Sequence, residues 1–425
     1  MEENKGIAVV DEDRLTAYKN KKRIAGYRKA AVGMILFFII TGLIIAYWNR
    51  SFNSYKELTS VPSSEGTETQ FALYEDGYLK YSKDGISYIN TQEKLIWTEA
   101  YTMEAPSISV KGEYAVLADL DGNDVHLYNA AGKLGDYSMS FPIKKVMAVE
   151  QGVFCVILDG GDANYIRLYN SKGEILAEIK TQIENNGYPM AVAISSDGMK
   201  LAASFYRVEG IDSQNVLSFY NFGEGGKGLS GNLVGTYSFD DMLIPKVEFM
   251  DDNTVCAVGD SKTILYEMKT KPKKIHEIDF DTEILSVFSN EKYIGYICPN
   301  SEEEIASGKK KAYETYIYNK RGRLVKSFDK DELHENVSIF GRVIVSYSAS
   351  TCVMEKMDGK EIFRQDMGEN IIDVLPTNHM RDFKFVYGDR SSKIRLINEL
   401  EKEWNGSEEE IEVITEEDTI KESAE

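Results

Sequence analysis

Residues 168–176 read LYNSKGEIL, and two close variants of this phrase recur as LYNAAGKL (127–134) and IYNKRGRL (317–324). In each copy an apolar run ends in Asn, and Gly follows three residues later. Asn and Gly tolerate the positive φ that a tight turn requires. The run before the turn is rich in Tyr, Ile and Leu, which favours a β-strand. Each phrase therefore predicts one strand and the hairpin turn that leads to the next strand.

Similar strand ends recur through the chain at intervals of 37 to 52 residues. These ends are Asn90, Asn129, Asn170, Asn221, Glu267, Asn319, Lys356 and Asn398. The interval that contains Asn170 holds four short apolar runs: KKVMAVE (144–150), GVFCVILD (152–159), YIRLYN (165–170) and ILAEIKT (175–181). Four antiparallel strands repeated about every forty residues predict an all-β fold, a β-propeller of four-stranded blades.

Eight strand ends predict eight blades across residues 69–398. A count of seven remains open if the weakly patterned unit 336–366 is not a blade. The last unit stops at Asn398 without a fourth strand, whereas a spare run, TQFALYE (69–75), precedes the first unit. We expect this run to complete the last blade and close the ring, because closure removes exposed strand edges. Two stacked β-sandwiches are a weaker alternative, since the period persists throughout the region.

These repeats resemble the WD-repeat and quinoprotein-like propeller superfamily. The whole layout resembles an uncharacterised family of single-pass, membrane-anchored propellers of Gram-positive, clostridial-type bacteria. The chain departs from both patterns, because no unit ends in a WD dipeptide and only Trp97 fits the quinoprotein docking position. The resemblance therefore implies the fold but no quinone or other cofactor, and a fold of this kind does not imply a function.

The formal net charge of the 425-residue chain is −20. A body this acidic would repel a phosphate backbone, so we expect no nucleic-acid partner. Residues 399–425 hold twelve acidic residues and two lysines, which predicts a disordered acidic tail.

Residues 30–48, AAVGMILFFIITGLIIAYW, carry no charge and are long enough to cross a bilayer as a helix. Six basic residues and no acid lie in 19–29, so the positive-inside rule places residues 1–29 in the cytoplasm. The sequence thus predicts a basic cytoplasmic tail (1–29), an uncleaved anchor helix (30–49), a tether (50–68) and an extracytoplasmic propeller (69–398).

No motif in the sequence indicates a reaction. The four histidines are dispersed, and P-loop, GxSxG and HExxH patterns are absent. The four cysteines stand alone and are expected to be small apolar residues on strands, although a single long-range disulfide stays open. Asp119, Asp121 and Asn123 in DLDGND have the alternate spacing of calcium ligands, but no Glu closes the loop. A hairpin turn, with no metal, is the favoured interpretation.

Two connections between second and third strands are predicted to be long loops on one face of the ring, 206–215 and 299–312. Elaborated loops on a rigid scaffold often carry binding sites, although ordinary tolerance of insertions is the alternative. The candidate partner residues on these loops are Tyr206, Arg207, Asp212, Lys309, Lys310 and Lys311.

These observations predict a membrane-tethered, non-enzymatic interaction, scaffold or sensing module at the cell envelope. Its expected partner is an envelope protein or polymer. The alternative is an extracytoplasmic small-ligand binder or enzyme that uses the central channel of the propeller.

Overall fold

The computed structural model describes residues 18, 21–22, 27, 31–42, 50–62, 69–209, 212–398 and 412–413. The chain divides into two compact units, residues 1–51 and residues 52–425. In the first unit residues 31–42 form a helix, α1. The remainder of the predicted anchor, residues 30 and 43–49, lies outside the described residues. None of the helices among the described residues is long and apolar enough to cross a membrane.

The second unit is an eight-bladed β-propeller, as the sequence predicts. Blade 1 contains β2 (Gln70–Tyr74), β3 (Gly77–Tyr81), β4 (Gly85–Ile89) and β5 (Leu95–Ala100), and blade 2 contains β6 (Pro106–Lys111), β7 (Tyr114–Asp119), β8 (Asp124–Asn129) and β9 (Gly132–Ser138). Blade 3 contains β10 (Ile143–Ala148), β11 (Phe154–Asp159), β12 (Ala163–Tyr169) and β13 (Ile175–Gln182), and blade 4 contains β14 (Tyr188–Ile194), β15 (Lys200–Glu209), β16 (Asp212–Asn221) and β17 (Leu233–Phe239).

Blade 5 contains β18 (Lys246–Asp251), β19 (Thr254–Val258), β20 (Lys262–Met268) and β21 (Pro272–Asp279), and blade 6 contains β22 (Ser286–Ser289), β23 (Tyr293–Pro299), β24 (Tyr313–Asn319) and β25 (Leu324–Lys330). Blade 7 contains β26 (Asn336–Phe340), β27 (Val343–Ser348), β28 (Thr351–Lys356) and β29 (Glu361–Asp366), and blade 8 contains β30 (Asp373–Pro376), β31 (Asp382–Val386), β32 (Arg390–Ile397) and β1 (Ser54–Pro62). Short helices α2 (Ile183–Asn186) and α3 (Glu302–Ala306) lie in connections, as do 3-10 turns at Glu150–Gly152 and Ser230–Asn232. Unit 336–366 is therefore a genuine blade.

The expectation for ring closure is wrong in its residues. Blade 8 is completed by Ser54–Pro62, which pairs antiparallel with β32 from Ser54 opposite Ile397 to Pro62 opposite Arg390. Gln70–Tyr74 forms instead the first strand of blade 1. Much of the predicted tether is thus a structural strand. Glu412–Val413 (β33), the described part of the acidic tail, pairs in parallel with β1.

The repeated Asn lies at the end of the third strand of its blade, or directly after it, and holds the following turn. The side-chain oxygen of Asn170 accepts hydrogen bonds from the backbone N–H groups of Lys172 and Glu174, at 2.9 and 3.0 Å. Asn319 makes the same pair of bonds with Arg321 and Arg323. This local side-chain bonding explains why the Asn phrase recurs at hairpins of this type.

Aromatic side chains link neighbouring blades at these turns. Trp97, on the fourth strand of blade 1, stacks on Tyr128 of blade 2 with centroids 5.3 Å apart. Its indole N–H donates to Ala130 O at 3.2 Å. In the next blade Tyr137 occupies the corresponding place, and its hydroxyl donates to Ser171 O at 2.5 Å. Tyr137 thus makes between blades 2 and 3 the kind of contact that Trp97 makes between blades 1 and 2.

The core lies between blades rather than inside any one blade. Among the described residues, apolar clusters join each neighbouring pair from blades 1 and 2 through blades 7 and 8. The closing interface, between blades 8 and 1, is instead bridged by Lys384, Tyr78 and Glu93. The closing contact of the ring is therefore polar. Its other described interfaces contain apolar clusters, and the interface between blades 6 and 7 adds a buried ion pair of Lys330 and Glu355 at 2.6 Å.

Two faces follow from the strand order. We call the upper face the side where each first strand begins, which also carries the connections between second and third strands. The lower face carries the hairpin turns after first and third strands, including the Asn turns. Alternating antiparallel strands place these connections at opposite ends of every blade.

Candidate functional site

A groove of about 580 Å³ opens on the upper face between blades 3, 4 and 5. We call it the upper groove, and its lining is mostly apolar. The lining residues are Lys144, Lys145, Ile157, Asn164, Tyr188, Pro189, Met190, Ala191, Val192, Tyr206 and Pro245. Its volume falls within the range of binding pockets.

The inner strand of blade 4 forms one wall of the upper groove. Tyr188 pairs with Tyr206, and Pro189 pairs with Phe205. A bulge between Pro189 and Ala191 leaves Met190 outside the regular pairing. Bulges of this kind re-aim side chains. Tyr188 and Met190 remain 51% and 37% exposed, so the wall presents apolar surface to solvent.

Two hydrogen-bond donors lie in the opposite wall, on blade 3. The ammonium group of Lys145 lies 3.2 Å from Val192 O, across the interface between blades 3 and 4. Burial lowers the pKa of Lys145, and none of the described carboxylates lies within 4 Å of its ammonium group. Asn164 is 3% exposed, and its side-chain N–H₂ group has no hydrogen-bond partner among the described residues. A buried donor without an acceptor carries a free-energy cost, so this wall is prepared for an acceptor.

The second lysine of the groove is already neutralised. Lys144 donates to Asp121 at 2.7 Å and lies 3.6 Å from Asp159. These contacts raise the pKa of Lys144, and the hydrogen bond that its ammonium group donates to Asp121 is the largest cause. The net positive charge of the groove therefore comes from Lys145.

The candidate calcium ligands make separate contacts. Asp119 accepts from the backbone N–H of Ala105, Asp121 binds Lys144, and the Asn123 amide donates to Met139 O. Asp121 has φ +60°, as turn residues do. Within the described part of the chain no three His, Cys, Asp or Glu side chains are grouped to hold a metal ion.

The predicted loop 206–215 is in fact a hairpin of two long strands, and only residues 210–211 lie outside the description. Tyr206 lines the upper groove. Arg207 donates to Gln214 at 3.0 Å, and Asp212 begins β16 in an exposed position. The prediction of a long loop is wrong here because cross-strand pairing continues to Glu209 opposite Asp212.

The second predicted loop, 299–312, does contain a long connection, with α3 inside it. Ser301 caps α3 by accepting the N–H of Glu304. Lys310 donates to Glu314 and Lys311 to Asp331, both at 2.7 Å, whereas Lys309 is exposed. These lysines lie on the connection of blade 6 and do not line the upper groove. The structure thus separates the two sets of predicted partner residues.

The described histidines and cysteines form no reactive pair. His126 contacts Tyr128 at 3.2 Å and His334 is buried beside Glu332, in different blades. All four cysteines are free and buried, and burial raises the pKa of Cys298 to about 11. Thiols in this state are poor nucleophiles.

Sequence reasoning missed a second cavity, of about 190 Å³, at the lower end of the interface between blades 8 and 1. Lys384 lies there, 2% exposed, over the ring of Tyr78 at 3.8 Å from its centroid. Lys384 donates to the Tyr78 hydroxyl at 2.6 Å and to Glu93 at 3.0 Å, and Tyr78 donates to Glu93. Burial lowers the pKa of Lys384, although Glu93 opposes this effect. The network satisfies its own members, which fits ring closure better than ligand binding.

Comparison with known proteins gives a family and a fold. A family of unknown function (DUF5711) matches residues 48–396 of this chain. No curated protein sequence matches the chain. Among solved structures, BamB from Moraxella catarrhalis is similar with a TM-score of 0.50 and 13% identity, over 80% of this chain and 98% of that one.

Two further structures share the fold. Sqt1 of Chaetomium thermophilum, solved bound to the N-terminus of the ribosomal protein L10, has a TM-score of 0.50 and 10% identity, over 81% of this chain and 98% of its own. A eukaryotic initiation factor has a TM-score of 0.51 and 11% identity, over 79% of this chain and 87% of its own. Identities this low establish the propeller fold alone.

Proposed function

The chain belongs to the family of unknown function DUF5711, and we propose that it is a membrane-tethered, non-enzymatic interaction module whose upper groove holds a segment of a protein partner. The observation that carries the proposal is the groove itself. It is open, mostly apolar, and walled by the rigid strand ends of blades 3 and 4. A rigid scaffold of this kind orders few groups on binding, which favours affinity.

The groove has apolar surface beyond its own walls. Val208 follows Tyr206 along β15 and is exposed, as are Ile183 of α2 and Leu243 before Pro245. Exposed apolar residues beside a groove add to the apolar surface that a partner could cover. The fold neighbour Sqt1, which was solved with the N-terminus of another protein, is consistent with a peptide occupant.

The tethering and its direction rest on the sequence. The apolar run 30–48 and the basic stretch 19–29 place residues 1–29 in the cytoplasm and the propeller outside it. An envelope protein is then the expected partner. Alkaline phosphatase, which is active only outside the cytoplasm, should be active when fused after residue 398 and inactive when fused after residue 29. The opposite pattern would overturn the extracytoplasmic placement.

Photo-cross-linking in intact cells tests the binding face. A benzoylphenylalanine residue at Tyr188 should capture one defined protein, because Tyr188 is 51% exposed at the groove. Met199, 50% exposed at the lower end of the same blade, provides a matched control that should capture none. Equal capture at both positions, or capture at Met199 alone, would contradict the proposal.

A small-ligand binder is the second candidate, favoured by the groove volume and by the unpartnered amide of Asn164. It differs from the original alternative because the groove, not the central channel, would hold the ligand. Absence of any protein captured at Tyr188, together with a small molecule that co-purifies and protects Tyr188 from labelling, would favour this candidate.

A further inference from the structure

The chemistry of the upper groove indicates which kind of segment it holds. Of its two walls, the blade 3 wall supplies donors and the blade 4 wall supplies apolar surface. We propose that the groove binds an extended partner segment in which an acidic side chain, Asp or Glu, lies next to an apolar one. This inference rests on the proposed function and names the partner chemistry.

The acidic specificity comes from Lys145 and Asn164. Lys145 bridges to a backbone carbonyl on blade 4, so its ammonium group retains hydrogens for a further acceptor. Asn164 contributes an N–H₂ group that is buried and has no acceptor among the described residues. A carboxylate has two oxygens, and these accept hydrogen bonds from both groups more strongly than a neutral amide would.

The groove also discriminates against basic segments. Lys145 has no carboxylate within 4 Å among the described residues, whereas Asp121 and Asp159 are occupied by Lys144. A lysine or arginine of a partner would therefore meet the positive charge of Lys145 with no free acid nearby among the described residues. The contrast is local, because the chain as a whole carries a net charge of −20.

The apolar specificity comes from Tyr188 and Met190, which are exposed at the mouth of the groove. Met is flexible and packs against varied side chains, while Tyr supplies a large rigid surface. A free carboxylate metabolite would leave this surface uncovered, which favours a peptide. The acidic tail of the same chain is a poor occupant, because its described residues Glu412–Val413 pair with β1 in blade 8.

A random dodecapeptide library displayed on phage, selected on the full-length protein in nanodiscs, tests the inference. Selected peptides should be enriched in Asp or Glu beside Leu, Ile or Phe. The best peptide, labelled with fluorescein, should bind about tenfold or more tightly than its Glu→Gln version, because a hydrogen bond to a charged group is the stronger one. Lys145→Met and Asn164→Leu should each weaken the acidic peptide about tenfold and leave the Gln version within about twofold.

Two controls keep the outcome interpretable. Lys172→Met removes a lysine from the exposed lower-face turn of the same blade and should change nothing. Lys145→Glu should reverse the preference, so that a Glu→Lys peptide binds better than the acidic one. This gain of binding also shows that the variant is folded.

The outcomes separate the two proposals. Selected peptides that cross-link at Tyr188 without acidic enrichment would overturn this inference and leave the interaction module standing. Acidic peptides whose affinity is unchanged by Lys145→Met and Asn164→Leu would likewise overturn it. Failure of the library to yield any peptide that cross-links at Tyr188 would count against both.

Discussion

The ammonium group of Lys384 lies 3.0 Å from a carboxylate oxygen of Glu93, although 291 residues separate them in the chain. Lys384 belongs to the second strand of the last blade, and Glu93 lies in the turn after the third strand of the first blade. Both side chains are almost fully buried. The interface that closes the ring is thus joined by a buried ion pair. The interfaces on either side of it, between blades 7 and 8 and between blades 1 and 2, are joined by apolar packing.

Lys384→Met should destabilise the protein strongly. The substitution leaves the carboxylate of Glu93 buried without a counter-ion, and loss of one partner of a buried pair costs about 3–5 kcal/mol. Urea unfolding monitored by tryptophan fluorescence measures the loss of unfolding free energy. Lys83→Met, which removes an exposed pair with Glu104, is the control and should change stability by less than about 1 kcal/mol.

The double variant Lys384→Met/Glu93→Gln distinguishes the ion pair from simple loss of packing. Because the second substitution removes the unpaired charge, the double variant should be more stable than Lys384→Met alone. If the losses of unfolding free energy in Lys384→Met and Glu93→Gln simply add in the double variant, the interaction between these residues does not stabilise the interface between blades 8 and 1.

Residues 54–62 should be essential for a stable ring. A fragment 69–398 lacks β1 and leaves β32 as an open edge, whereas 50–398 retains the complete blade 8. Exposed edges promote aggregation. We expect 69–398 to aggregate or to melt at a clearly lower temperature, measured by circular dichroism and light scattering, and a peptide 50–62 added in trans to restore part of the loss. Equal melting of both fragments would show that β1 is dispensable.

The contrast between the predicted and observed closing strands shows what local sequence can determine. The third strands were correctly located because Asn170 and its equivalents form their turns with residues two and four positions away. The closing strand SYKELTSVP was missed because it is an outer strand with half-buried residues throughout, so it lacks an alternating pattern. Its partner, β32, begins more than 300 residues later, and no local signal identifies such a pairing.

The candidate site was predictable only in part for the same reason. Tyr206 was identified from loop length, and it does line the upper groove. Lys145, Asn164 and Met190 come from separate strands of blades 3 and 4, and each sits in an ordinary strand sequence. Lys384 in DFKFV resembles an outward-facing lysine, yet every residue of that strand is buried. Burial by a neighbouring blade arises only in the assembled ring, so a short stretch of sequence does not reveal it.

Gly173→Ala should destabilise more than Gly161→Ala, although both glycines have φ near +80°. Each substitution forces a side chain into the left-handed region, which costs roughly 1–2 kcal/mol. A Cβ at Gly173 would also lie 2.7 Å from the ring of Tyr137 on the preceding blade, whereas the space at Gly161 is open. Overpacking adds about 1–3 kcal/mol. Matched urea titrations measure the difference, and equal losses would mean that Tyr137 moves aside without cost.

Acid should destabilise the fold partly through His334, which is buried just before the first strand of blade 7. Burial lowers the pKa of His334, and the nearby charge of Lys330 lowers it further against the opposing effect of Glu332. In the unfolded chain a histidine has a pKa of about 6.5. Just below that pH the unfolded state therefore binds a proton that the native state does not. The free energy of unfolding consequently decreases as the pH is lowered, until the pH reaches the pKa of His334 in the native state.

His334→Gln should consequently flatten the decline of unfolding free energy between about pH 7 and pH 5, a range set by the unfolded pKa near 6.5. His379→Gln, at an exposed turn of blade 8, is the matched control for the loss of one histidine. Urea titrations at half-unit pH steps measure both slopes. A decline that is unchanged in His334→Gln would contradict this prediction and assign the acid sensitivity to other groups.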